Sequence, residues 1–194
     1  MSLQFEKAPA LRNVEQKLAK ALWHLGEPLE TGKDAIGRAL QLTKPVQVYT
    51  LSARAQAGAA APRWRASGLW RSVVLDGGKP VATLQFQGRG AVAVRGRDSA
   101  GALLAALEAA EHHAGKRTYK PRFVVLPRLY ITAVWLSGPN PVFIPTRDGS
   151  AERPEPTVYK KVEFEKLIRR HYKKRARSLP AKPQASVRRR TKAK

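Results

Sequence analysis

The 194-residue chain contains no cysteine. This excludes a disulfide framework, a thiolate zinc site and a thiol nucleophile. Acid is scarce too: 14 Asp+Glu stand against 37 Lys+Arg, a formal net charge of +23. Aromatic residues make up only 7% of the chain, yet 43% is hydrophobic, enough for part of it to bury a core. Long apolar runs are missing. The longest, Leu129–Leu136, falls far below the roughly 18–20 residues of a membrane helix. The opening stretch MSLQFEKAPALRNVEQK has no apolar segment of the secretory kind. The length suits one domain, or one domain with a tail, and a soluble, cytoplasmic protein is expected.

The positive charge is uneven. Residues 160–194 hold 15 Lys+Arg and only two acids, Glu163 and Glu165, so more than half of the excess lies in less than a fifth of the chain. From Lys173 onward there is no acid at all. Like charges at that density repel one another, and few apolar side chains offset the chain entropy. Residues 178–194 are therefore expected to be a disordered cationic tail, of the kind that attracts polyanions.

The rest of the chain reads as alternating helical and strand patterns. Val14, Leu18, Ala21, Leu22 and Leu25 recur at helical spacing between an Asn13 cap and Gly26, which predicts a first helix over 14–25. A weaker helical stretch covers 34–42, and VQVYTLS after Pro45 suits a strand. The Ala-rich stretch 53–62 predicts a flexible loop. Asp76-Gly77-Gly78 lies between two runs rich in Val, Leu and Phe and predicts a tight hairpin; 91–96 adds a third strand. Asp98-Ser99 offers an N-cap to a helix carrying Leu103, Leu104, Ala106 and Leu107 that ends at Gly115. Beyond it, a strand breaks at Pro127, and a buried strand follows over Leu129–Leu136, with Tyr130 and Trp135 expected in the core. VFIP predicts a short strand and 145–157 a polar connector. Phe164, Leu167, Ile168 and Tyr172 then repeat as on a helix from about Glu163. The expected fold is α+β: a mostly antiparallel sheet with two to four helices on one face, a C-terminal basic helix and a disordered basic tail. The expected boundaries are 1–157 for the globular domain, 158–177 for the basic helix and 178–194 for the tail.

Enzyme signatures are missing. The sequence has no G-x-S-x-G elbow, phosphate-binding G-x-x-x-x-G-K-[ST] loop or H-E-x-x-H pair. Gly88-Arg89-Gly90-Ala91-Val92-Ala93 loosely matches a dinucleotide fingerprint, but it leads into a strand where that fingerprint needs a helix N-terminus. Glu108, Glu111, His112 and His113 cluster near a helix end; Glu108 and His112 share a face, yet two ligands do not make a metal site. A solvated helix end explains them, with the histidines favoured by the helix dipole. Neither cofactor nor metal is expected.

What remains is cationic. In RRHYKKRAR (169–177) seven of nine residues are Lys, Arg or His, and a helix of this kind can lie along a phosphate backbone. The leading expectation is a non-enzymatic protein that binds RNA or DNA through phosphate contacts. Its candidate residues are Lys166, Arg169, Arg170, Lys173, Lys174, Arg175 and Arg177, followed by Arg188, Arg189 and Arg190 in the tail. Arg63, Trp64, Arg65 and Arg71 form a candidate secondary surface, where arginine on phosphate and base on indole would suit single strands. Strand alternation alone also explains that pattern, with tryptophan inward and arginine outward. Two rival expectations are an assembly module recruiting an acidic protein partner and an enzyme built on the Glu108/Glu111/His112 cluster.

Overall fold

Two glycines set the clearest turn. Gly77 and Gly78 have φ of 55° and 83°, the left-handed conformation that both central residues of a type I′ turn require. They join the two longest strands in a computed structural model that describes residues 3–9, 18, 40–51, 63–88, 90–149, 151–152 and 155–178. In chain order its elements are β1 (Leu40–Leu42), β2 (Val46–Leu51), β3 (Trp64–Asp76), β4 (Lys79–Gln87), β5 (Gly90–Arg95), α1 (Arg97–Ala114), β6 (Lys120–Leu126), β7 (Ile131–Ser137), β8 (Val142–Asp148), β9 (Ala151–Glu152), β10 (Tyr159–Lys160) and α2 (Lys161–Ser178). A 3₁₀ turn over Pro127–Leu129 separates β6 from β7.

All the described strands join one sheet, in the order β10-β8-β7-β6-β2-β3-β4-β5, with β1 on β3 and β9 on β8. Every pairing runs antiparallel except that of β2 with β6. The fold is thus α+β with a large, mostly antiparallel sheet, and the expected hairpin and meander are present as β3, β4 and β5. Pro80, which cannot donate to a ladder, pairs with Leu75 at a register break near the end of its strand. β3 also breaks register against β2 between Gln47 and Tyr49. There the Ser67 hydroxyl donates to the Val48 carbonyl (2.9 Å) and accepts from the Leu69 N–H (3.2 Å), satisfying backbone groups that the ladder misses.

Strand alternation sorts the core into two layers. Val46, Val48, Val73, Phe123, Val134, Leu136, Val142 and Ile144 share a cluster with Ala100, Leu103, Ala106, Leu107 and Ala110 of α1. Alanines at three of those helix positions allow the helix axis to lie close to the sheet. Leu51, Val124, Leu126, Ile131, Ala133 and Phe143 pack instead against Phe164, Leu167 and Ile168 of α2. The two helices therefore cover opposite faces of the sheet, not a single one. A third cluster joins Trp70, Val74, Val81, Leu84 and Phe86 to Leu18.

Several boundaries differ from expectation. Residues 40–42, expected at the end of a helix, form β1, with Leu40 and Leu42 opposite Asp76 and Val74. α1 starts one residue before its expected cap: Gly96 takes the N-cap position without a side-chain hydrogen bond, and Asp98 lies in the first turn, where negative charge is favourable. β8 continues through Pro145 to Asp148 and turns into β9. A register break opposite Thr132 and Ala133 accommodates that proline in the ladder. Of the expected helix 14–25 only Leu18, which is helical and 2% exposed, is described. The stretch 34–39, the loop 53–62 and residues 179–194 of the expected tail lie outside the described residues.

Gly138 follows β7 where the chain passes Tyr119, a ring only 1% exposed. A Cβ at position 138 would lie 2.6 Å from Cδ1 of that ring. Gly138→Ala should therefore destabilise the fold by about 1–3 kcal/mol through overpacking, measured as a lower midpoint in urea unfolding. An unchanged midpoint would show that the ring yields.

Candidate functional site

Helix α2 carries two interleaved patterns. Phe164, Leu167, Ile168, His171, Tyr172 and Arg175 recur at steps of three and four and turn one side toward the protein. Phe164 is fully buried, Leu167 and Ile168 are each 7% exposed, and Tyr172 packs against the same cluster. Its first turn is held from within, since a Glu163 carboxylate oxygen accepts from the Lys160 N–H (2.7 Å), the return half of a capping box. Farther along, His171 Nε2 pairs with a carboxylate oxygen of Asp148 at the end of β8. One turn later the Arg175 guanidinium donates to the Arg128 carbonyl and lies 5.7 Å from the centre of the Tyr130 ring.

The second pattern is Lys166, Arg169, Arg170, Lys173 and Lys174, all exposed. At 100° per residue these five side chains occupy an arc of roughly 140° opposite the buried stripe, over about 12 Å of helix axis. No acid interrupts them. Arg177 continues the same spacing on α2, whereas Arg188, Arg189 and Arg190 lie outside the described residues.

The other candidate surface divides differently. Trp64 is half-buried among aromatic rings: its ring centre lies 5.7 Å from that of Phe143, 5.9 Å from Trp135 and 6.4 Å from Phe164. The indole is thus part of the seat for α2. Arg63 and Arg65 are exposed, but strand alternation turns Arg65 away from Trp64 and so from the helix. Arg71 belongs to the interior. It is 2% exposed, donates to Gln85 Oε1 and lies 4.4 Å from the centre of the Phe123 ring. The structure brings Lys166, Arg169, Arg170, Lys173 and Lys174 to one side of α2 and takes Arg71 into the interior.

A further arginine, half-buried, is also occupied within the protein. Arg122 lies 4.5 Å and 4.9 Å from the ring centres of Tyr49 and Trp135, with Glu6 at 3.5 Å. Burial pushes the Tyr49 hydroxyl above its ordinary pKa, Arg122 opposes that shift, and Glu6 adds to it. The Tyr49 hydroxyl donates to Gln47 Oε1 (3.0 Å).

Tyr130 departs from the expected core. It is 58% exposed, because it closes the turn before β7 and is not a strand residue. Its φ of 54° is the one left-handed value among the described non-glycine residues. Arg128 in the same turn is exposed as well. The sequence signal for both is Pro127, which begins a turn that carries Leu129 and Tyr130 outside the strand.

Glu108, Glu111, His112 and His113 are all exposed on the last turns of α1. Among the described residues, no group of three or more His, Cys, Asp or Glu could hold a metal. The surface depression lined by Asp76, Lys79, Pro80, Val81 and Arg97 includes none of that cluster. No described helix is long and apolar enough to cross a membrane. The chain matches no protein-family model and finds no match among curated proteins or solved structures.

The contrast between Trp64 and its neighbour gives a direct test. Trp64→Ala should cost about 3–5 kcal/mol of stability, whereas Arg65→Ala should stay within about 0.5 kcal/mol, both read from chemical denaturation. Equal effects would contradict the inward placement of the indole.

Proposed function

We propose that this protein is a non-enzymatic nucleic-acid-binding protein that contacts phosphates through the outward side of α2. The observation that supports the reading is the exposed row Lys166, Arg169, Arg170, Lys173 and Lys174 on a helix whose other side is pinned to the sheet. Cations held on a packed helix lose little freedom on binding. Each one that neutralises a phosphate releases condensed counterions. Arg177 and the tail arginines Arg188, Arg189 and Arg190 extend the charge in sequence. Arg63 and Arg65 contribute at most a separate contact, and Arg71 none.

A lipid surface fits less well. Amphipathic helices that lie on membranes insert a free apolar side, and the apolar residues Phe164, Leu167 and Ile168 are already buried against the sheet. Phosphate contacts position a nucleic acid without reading its sequence, so the helix is suited to binding with little base preference.

The test replaces the row as a unit. In the full chain, Lys166→Gln, Arg169→Gln, Arg170→Gln, Lys173→Gln and Lys174→Gln together should weaken binding of a labelled 20-base-pair duplex by orders of magnitude. Fluorescence anisotropy between about 50 and 200 mM salt should also show a shallower dependence of log affinity on log salt, by up to about 4.5 if all five cations meet phosphates. An unchanged slope would refute the role of α2.

A further inference from the structure

The turn that contains Tyr130 does not require an aromatic side chain there. The turn from β6 to β7 runs from Leu126 to Ile131, which pair across the ladder. Leu129 fills the core at 4% exposure, and the turn is closed by the Tyr130 N–H donating to the Pro127 carbonyl (3.3 Å). All of this uses the backbone of residue 130 and not its side chain. A left-handed φ of 54° favours glycine or asparagine at that position. A bulky ring there is strained, and strain of this kind collects where a side chain must be presented.

The surroundings say what the ring is presented to. Arg175 lies over it at 5.7 Å, and no other described ring packs against it, so it remains 58% exposed. Exposed Arg128 lies two residues before the ring, and exposed Lys174, at the edge of the cationic row, adjoins Arg175 on α2. An open aromatic face among backbone-binding cations is the arrangement on which unpaired bases stack.

Resting on the phosphate-binding reading above, we infer that Tyr130 is a base-stacking platform, and that the nucleic acid bound along α2 is single-stranded or carries unpaired bases at this point. A base held inside a duplex cannot reach a ring on a convex turn, whereas an unpaired base can leave its neighbours and lie flat on it. The base would continue the stack that Arg175 begins on the other side of the ring.

The experiment compares the full chain with Tyr130→Gly and Tyr130→Phe, using a labelled mixed-sequence 20-mer RNA single strand and its blunt duplex at one salt concentration. Glycine relieves the left-handed strain, so Tyr130→Gly should hold or raise the melting temperature, by up to roughly 2–4 °C. It should still bind the single strand about tenfold more weakly, while duplex binding stays within about twofold. Tyr130→Phe should bind the single strand as the parent does. Single-strand affinity within about twofold of the parent in Tyr130→Gly, with parental binding intact, would overturn the stacking role and leave phosphate binding standing. So would a lower melting temperature with both affinities reduced alike, since that marks a structural ring. A parent chain that binds neither nucleic acid would overturn both readings.

Discussion

Phe164 lies nearly flat against Phe143, with ring centres 4.4 Å apart and planes 7° from parallel. Phe143 in turn stacks on Trp135 at 5.8 Å, and Trp64 closes the group. Offset aromatic contacts of this kind add to the large area that each ring removes from water. This stack is what turns a basic helix into a fixed surface. Without it the helix would keep Leu167, Ile168 and Tyr172 on the sheet, together with the His171–Asp148 pair and the Arg175 contact, and ion pairs near solvent contribute little. The direction in which Lys166, Arg169 and Lys173 point is thus set by apolar rings on the far side of the same helix.

The positive charge of the chain serves two ends. Buried Arg71 and half-buried Arg122 place their guanidinium groups over rings and next to polar partners. Delocalised charge and weak hydration make arginine, more than lysine, suited to such places. The exposed row on α2 mixes lysine with arginine, as expected where charge meets solvent or phosphate and no ring has to be covered. A net charge taken from the sequence cannot separate these two populations. Burial can.

How much could be read in advance follows from local physics. The hairpin at Gly77-Gly78, the helix over 97–114 and the period of Phe164, Leu167, Ile168 and Tyr172 each depend on residues close in sequence, and each was legible. The spread of helices over both faces was missed, although Phe123-Val124-Val125-Leu126 carried the cue: a strand apolar at consecutive positions has both sides covered. The second half of β8 is not legible locally, because Pro145, Thr146, Arg147 and Asp148 look like a connector. Only pairing with β7, and a register break that admits the proline, makes them strand. At the candidate site the basic composition of 166–177 was legible, but not the side that each cation takes: Arg175, read with the others, turns to the Arg128 carbonyl and the Tyr130 ring. The inward roles of Arg71 and Trp64 and the exposure of Tyr130 were not legible either, because each is decided by a neighbour distant in sequence.

The parallel seam between β2 and β6 carries a consequence for assembly. Its partners Val48 and Phe123 are 75 positions apart, and the chain between them holds three strands and α1. The β2–β5 half and the β6–β10 half can each form by short-range zipping. They join only after α1 has crossed the sheet and brought β6 back to β2. Closing so long a loop is entropically slow. Among the described strand pairings the seam carries the largest loop-closure cost, and until it closes the facing edges of both halves are open to pairing with other chains.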